Sequence, residues 1–149
     1  MEMKAENDLT VTYHDPCRLG RQMGIYEEPR QLVAGVEGVE LVEMEHHGED
    51  AMCCGVSSMM SCNENARALR VSRMEEIRNT GADMMITSCP KCVSHMECLK
   101  FEGDERHDIE ILDIVSFLAR QVQAKKSMVE ELSTACLLYT SDAADEWRS

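Results

Sequence analysis

The segment at residues 83–92 reads DMMITSCPKC, and it is the part of the sequence that most directly indicates the fold. Its first half is a short, continuously apolar run, which is typical of a strand buried on both faces of a parallel sheet. Ser88 and Pro90 then favour a helix start, because serine caps helix N-termini and proline fits the first turn. The segment therefore predicts a strand leading directly into a helix, with Cys89 and Cys92 at the junction.

The same pattern extends outward in both directions along the chain. Apolar and β-branched residues predict further strands at residues 9–13, 39–43 and 109–112. Helices are predicted to start near Pro29 and to cover residues 64–79, 90–100 and 114–126. Because strands alternate with helices, we expect an α/β fold: a mostly parallel four-stranded sheet with flanking helices and right-handed crossovers.

The cysteines fall into three groups, each placed after a predicted strand: Cys17, the adjacent Cys53 and Cys54, and the pair Cys89 and Cys92. Open parallel sheets bind ligands at the carboxyl ends of their strands, so we expect the five thiols at one edge. Thiolates select iron-sulfur clusters, zinc or Cu(I), and five ligands exceed what one tetrahedral zinc uses. The grouping predicts a metal centre, with a structural zinc site or ordinary buried thiols as the alternative.

Composition limits the classes of function. The chain has 149 residues and a formal net charge of -13, which fits a single domain without the clustered basic residues that nucleic acid or anionic membranes require. No apolar run approaches the ~18 residues of a membrane span, and the first residues do not resemble a signal peptide. We expect a cytoplasmic protein with no nucleic-acid partner and no direct membrane insertion.

Two arginines and one histidine near the predicted centre allow two interpretations each. Arg70 and Arg73 fall within the apolar stripe of the 64–79 helix, where they either extend to solvent at its edge, the favoured interpretation, or direct their charge at an anionic cluster or substrate. His14 ends the first strand and either forms a structural hydrogen bond or tunes the centre.

Other polar residues have weaker assignments. His46 and His47 are expected in a solvated loop, and Cys62 and Cys98 are expected to be small buried apolar residues. His95 lies one helical turn after Cys92. It is either a structural residue or a proton donor to a substrate sulfur.

Three motifs carry a family resemblance: YHDPC at residues 13–17, CCG at 53–55 and SCPKC at 88–92. They resemble the cysteine-rich CCG domain of heterodisulfide reductase, and the resemblance covers about residues 9–122. Similar domains occur in other iron-sulfur oxidoreductases. The last segment, residues 136–149, resembles instead the translation of a sequencing-library adapter. We therefore expect residues 1–135 to form a single CCG domain, part of a longer two-domain subunit, and residues 136–149 to be a non-native tail.

The resemblance implies a ligand set and a cofactor. It implies that five cysteines hold a non-cubane [4Fe-4S] cluster: Cys17, Cys53, Cys54, Cys89 and Cys92. Zinc is the alternative metal. His95 is the candidate catalytic residue, as a proton donor during reductive cleavage of a disulfide.

The function that the resemblance implies is that of an oxidoreductase component. Such a domain transfers electrons to a disulfide or within an electron-transfer complex, and the full reaction needs a second CCG domain facing the first. We therefore expect no activity from the chain alone. The expected partners are a second CCG domain, iron-sulfur or flavin subunits, and a small thiol or disulfide substrate. The alternative is a zinc-stabilised, non-redox assembly module of a multisubunit complex.

Overall fold

A computed structural model describes residues 4–56, 63–101 and 108–122. It contains four strands: β1 (Lys4–His14), β2 (Glu37–Val42), β3 (Met84–Thr87) and β4 (Glu110–Asp113). Four helices follow them in alternation: α1 (Glu27–Ala34), α2 (Glu64–Asn79), α3 (Pro90–Phe101) and α4 (Ile114–Gln121). The predicted continuation to residue 126, the 136–149 tail and Cys62 lie outside the described residues.

The strands form one parallel sheet in the order β2-β1-β3-β4, which confirms the predicted α/β fold. The register places His14 of β1 opposite Thr87 of β3, and Thr87 opposite Asp113 of β4. Three strands therefore end level with one another. The segments that follow them leave the sheet at a single edge.

Two apolar clusters cover the two faces of the sheet. Successive residues of β3 alternate between them: Met85 belongs to one cluster, and Met84 and Ile86 belong to the other. This alternation follows from the pleat, which points successive side chains to opposite faces. The α2 and α3 helices supply the first cluster, which also contains Cys54 and Cys92. The metal-binding thiols predicted from the sequence are thus continuous with one half of the core.

The α2 helix has the predicted bounds, and its apolar residues Ala66, Met74 and Ile77 are buried. Asn63 caps it by accepting a hydrogen bond from the Ala66 amide at 2.9 Å. Leu69 is 43 % exposed, whereas Arg70 and Arg73 are 1 % and 0 % exposed. The interpretation that the arginines extend to solvent is therefore wrong.

Within the described part of the chain, no helix has both the length and the apolar character needed to cross a membrane.

The burial of α2 leads to a paired prediction. Replacing Ile77, which is 0 % exposed, with alanine removes packed methyl groups and is expected to lower the free energy of unfolding by about 2–5 kcal/mol. Leu69→Ala on the same helix is expected to change it by about 0.5 kcal/mol or less, because the leucine is largely exposed. Urea unfolding followed by circular dichroism measures both values. Equal losses for the two variants would contradict this orientation of α2.

Candidate metal centre

Four of the five motif cysteines line one pocket at the carboxyl edge of the sheet. The turn after β1, the loop after β2 and the start of α3 form the pocket. The residues that line it are His14, Asp15, Pro16, Cys17, Gly20, Arg21, Tyr26, Gly48, Ala51, Met52, Cys53, Cys54 and Cys92. Cys89 is partly buried against the same apolar cluster as Cys92. The structure therefore brings together the five cysteines that the sequence separates into three groups.

Cys54 and Cys92 form the closest thiol pair. Their Sγ atoms are 3.3 Å apart and both residues are buried. The hydrogen bond from Cys92 lowers the pKa of Cys54 to about 4, despite the opposing effect of burial. The pKa of Cys92 is raised, because its proton is held by the Cys54 sulfur and because the group is buried. The close contact between the two sulfurs thus favours a thiolate at Cys54, and the thiolate is the form that binds metals.

Asp15 joins the turn that carries Cys17 both to helix α1 and to the loop that carries the double cysteine. Arg30 donates to both carboxylate oxygens of Asp15 at 2.7 and 2.9 Å, and the Gly48 amide donates to the same carboxylate at 2.8 Å. Arg21 also donates to the carbonyl oxygen of Ala51. These contacts hold the turn after β1 against the loop that precedes Cys53.

Asp15 precedes a proline but does not cap a helix. Its carboxylate is used by Arg30 and Gly48, and residues 17–23 form turns. Two helix-like bonds are present in this segment, from the Gly20 amide to the Pro16 carbonyl at 2.9 Å and from the Gly24 amide to the Gly20 carbonyl at 2.6 Å. Burial opposes ionisation of Asp15, but the hydrogen bonds from Arg30 and Gly48 outweigh it and lower its pKa.

Gly55 lets the double-cysteine loop approach α2. Its φ is +88°, and a Cβ at this position would lie 2.4 Å from the Ala66 carbonyl oxygen and 3.3 Å from Nε2 of His95. Both the backbone conformation and the space therefore require glycine. The Gly55 amide also donates to Cys53 Sγ at 3.3 Å, so the loop orients its own thiol.

Two arginine–histidine pairs lie beside the cysteines, and one of them, Arg73 with His14, is buried. Arg73 donates from Nε to Nδ1 of His14 at 3.1 Å, and Nη1 of Arg70 lies 3.2 Å from Nδ1 of His95. The ring of His14 in turn lies beside Cys54, with the ligand atoms of the two residues within 4.8 Å of each other. The two interpretations of His14 thus merge, because one ring contacts both a structural arginine and a candidate ligand.

Both histidines are held in the neutral form. Burial lowers the pKa of His14, although the adjacent Cys54 acts in the opposite direction. Burial also lowers the pKa of His95, and the charge of Arg70 lowers it further. Nε2 of His95 is buried and has no hydrogen-bond partner among the described residues.

The predictions for the two loop histidines are confirmed, and the prediction for Cys98 is wrong. His46 and His47 are largely exposed, as expected, but His46 also binds Glu76 through Nδ1 at 2.5 Å. Cys98, expected to be buried, is exposed, because it lies on the outer side of α3 and its thiol donates to the Ser94 carbonyl. Cys98 lines a shallow surface groove of about 370 Å³ together with His95.

Sequence reasoning missed three residues that shape the centre: Arg30, Gly48 and Glu76. Arg30 and Gly48 lie 15 and 33 residues from Asp15, so no local pattern connects them. Glu76 follows Arg73 by three residues, and the two form an ion pair on one helix face. That spacing was a usable signal, since residues three apart on a helix are neighbours.

The fit of Gly55 is tested by two glycine variants. Gly48→Ala is expected to lose about 1–2 kcal/mol of stability, because its φ of +60° disfavours alanine although the space around it is open. Gly55→Ala is expected to lose more, since its Cβ also overlaps the Ala66 carbonyl. Denaturant unfolding of the metal-free chain gives both values. If Gly55→Ala lost no more than Gly48→Ala, the close approach of the loop to α2 would be refuted.

The His46–Glu76 contact predicts a pH dependence. The hydrogen bond to Glu76 raises the pKa of His46, so the pair contributes stability below pH ~6.5, and this is lost as the pH rises through the raised pKa. NMR titration of the His46 ring is expected to give a lower pKa in Glu76→Gln than in the unmodified chain. The stability difference between the two proteins is expected to shrink as the pH rises above 7. An unchanged His46 titration in the variant would exclude the contact.

Comparison with known proteins places this arrangement in a family. A family model described as CCG, cysteine-rich domain, matches residues 11–97. A heterodisulfide reductase subunit from Methanosarcina acetivorans is 36 % identical over 115 residues, which is 76 % of this chain and 28 % of the relative. A subunit of the CoM/CoB fumarate reductase from Methanothermobacter marburgensis is 37 % identical over 121 residues, 79 % of this chain and 24 % of that protein.

A bacterial relative shows the same partial coverage. A probable iron-sulfur-binding oxidoreductase of Bacillus subtilis is 31 % identical over 115 residues, which is 76 % of this chain but only 16 % of that protein. The chain thus spans less than a third of the length of each of these relatives. From the family match and these identities, the chain belongs to the CCG cysteine-rich domain family.

Proposed function

We propose that this chain is the iron-sulfur cluster-binding domain of a heterodisulfide-reductase-like oxidoreductase, which transfers electrons to a disulfide or within an electron-transfer complex. The observation that carries the proposal is the convergence of the cysteines, four of which line one pocket while Cys89 packs beside Cys92. Relatives named as subunits of heterodisulfide reductase and of fumarate reductase support it.

The residues present fit such a cofactor. The donor set consists of soft thiols, two of which already lie 3.3 Å apart, and the buried Arg73 and Arg70 lie behind them, where their charge offsets that of anionic ligands. We assign five ligands: Cys17, Cys53, Cys54, Cys89 and Cys92. When bound, a non-cubane [4Fe-4S] cluster would supply one-electron redox chemistry and an iron able to capture a substrate sulfur. A single tetrahedral zinc would leave one thiol unused.

His95 is the proposed proton donor at this centre. Arginine only donates hydrogen bonds, so the contact from Arg70 to Nδ1 leaves the proton of His95 on Nε2. That atom faces Gly55 of the double-cysteine loop, and the ring also lines the surface groove beside α3. The neutral ring can donate a hydrogen bond to a thiolate released by disulfide cleavage, and transfer of a proton to that sulfur would use the imidazolium form of His95.

The complete reaction is proposed to require partners. The chain spans less than a third of the length of its relatives, and the family resemblance implies two facing CCG domains for heterodisulfide cleavage. We therefore infer that a second CCG domain and an iron-sulfur or flavin protein complete the active complex. The chain alone is expected to bind the cofactor without turning over a disulfide.

Anaerobic expression followed by iron, sulfide and zinc analysis tests the proposal. About four irons and four sulfides per chain are expected, with a paramagnetic signal of the oxidised protein that differs from that of a cubane cluster. One zinc without sulfide or signal would overturn the redox function. It would leave the zinc-stabilised assembly module.

Cysteine variants test the ligand assignment. Cys54→Ser and Cys92→Ser are each expected to lower iron and sulfide content at least tenfold, because both remove a buried thiol from the centre. Cys98→Ser is the matched control, since Cys98 is also on α3 but exposed, and its iron content is expected to be unchanged. Equal iron loss in Cys98→Ser and Cys92→Ser would contradict the assignment.

A further inference from the structure

We propose that Arg73 is a positioning residue that fixes His14 as a hydrogen-bond donor to the Cys54 sulfur, which excludes His14 from the metal ligands and raises the reduction potential of the centre. This inference rests on the proposed function for its redox part. Its structural part concerns residues of this chain alone.

The hydrogen bond from Arg73 decides which ring nitrogen of His14 carries the proton. Arg73 is 0 % exposed and donates from Nε to Nδ1 of His14 at 3.1 Å. A guanidinium has five N–H donors and no acceptor, so Nδ1 must present its lone pair. A ring with a lone pair on Nδ1 carries its single proton on Nε2.

The other ring nitrogen of His14 faces the cysteines. His14 lies beside Cys54 and Cys92, and the ligand atoms of the three residues all lie within 4.8 Å of one another. Three such buried groups would ordinarily form part of a zinc site. Because Arg73 already uses Nδ1, the nitrogen that donates to Cys54 is Nε2. A protonated nitrogen cannot bind a metal, so this ring supports the thiolate instead of replacing one.

Further contacts hold the guanidinium of Arg73 in place. Its Nη1 atom donates to the His46 carbonyl oxygen at 2.7 Å and forms an ion pair with Glu76. Glu76 also accepts from the His46 amide at 2.8 Å. The guanidinium is therefore attached to α2 and to the loop after β2 at once, and cannot turn away from His14 without breaking these bonds.

Two consequences follow for the bound centre. Hydrogen bonds to the sulfur ligands of an iron-sulfur cluster help to set its reduction potential, because they stabilise the additional negative charge of the reduced state. Outer-shell groups also decide which tautomer of a histidine faces a metal. Arg73 thus favours an all-thiolate ligand set over a mixed histidine–cysteine zinc site.

The proton position is measured directly on the metal-free full-length chain. Long-range nitrogen–proton NMR spectra distinguish the two neutral histidine tautomers. The Nε2–H form of His14 is expected. The Nδ1–H form, or a doubly protonated ring at pH 8, would overturn the inference without any variant and without any cluster.

Variants then test the role of Arg73. Arg73→Met combined with Glu76→Gln removes the donor without leaving a buried carboxylate charge, and Glu76→Gln alone is its matched control. Arg78→Met is a second control, because Arg78 is exposed on the same helix. X-ray absorption of the zinc-loaded proteins is expected to show a zinc site with sulfur ligands alone in the unmodified chain and in both controls. In the double variant, it is expected to show an imidazole ligand in addition to sulfur. Further replacement of His14 by leucine is expected to remove that imidazole.

Redox titration of the cluster-loaded proteins gives the second readout. The equilibrium constant for reduction of the cluster is expected to be about tenfold lower in the double variant than in the controls. This corresponds to a reduction potential about 59 mV lower for a one-electron step. Unchanged zinc ligands and an unchanged potential relative to Glu76→Gln would overturn the inference. If the unmodified chain takes up no cluster, the proposed function fails, while the tautomer and the zinc ligands still decide the role of Arg73.

Discussion

The parallel register between β1 and β3 is the constraint on which the centre depends. Because His14 lies opposite Thr87, the turn that carries Cys17 and the helix start that carries Cys89 and Cys92 leave the sheet at the same level. Parallel strands require a crossover connection, and α2 forms the one from β2 to β3 while it covers one face of the sheet. The arrangement that builds the sheet therefore also brings together thiols more than 70 residues apart in the chain.

The double cysteine is positioned differently, because it does not directly follow a strand. The β2 strand ends at Val42, so ten residues precede Cys53, and a loop of that length needs contacts along its course. The Asp15–Arg30 ion pair holds the loop at Gly48, Arg21 holds it at Ala51, and Gly55 packs directly on the Ala66 carbonyl. A metal centre with ligands on a loop thus depends on polar contacts made before any metal binds.

Buried charge is concentrated on the side of the centre that faces α2. Ionised side chains are costly to bury, and one that is buried must be paired and hydrogen-bonded. Arg73 meets this condition through Glu76, His14 and the His46 carbonyl oxygen, and Arg70 contacts both the ring and the carbonyl oxygen of His95. The cost of burying these cations fits a function in which they stabilise negative charge on neighbouring sulfur.

The sequence by itself determined the alternation of strands and helices, the bounds of α2 and the grouping of the cysteines, because periodicity, caps and proline act over a few residues. It did not determine that the arginines of α2 are buried. Arg73 is buried with its hydrogen-bond partner His14, which lies 59 residues away in the chain. The partner of Asp15 was likewise set by Arg30 and Gly48 and not by the adjacent proline. Only the tertiary structure decided these pairings, because a buried charge is stable only where distant segments supply its partners.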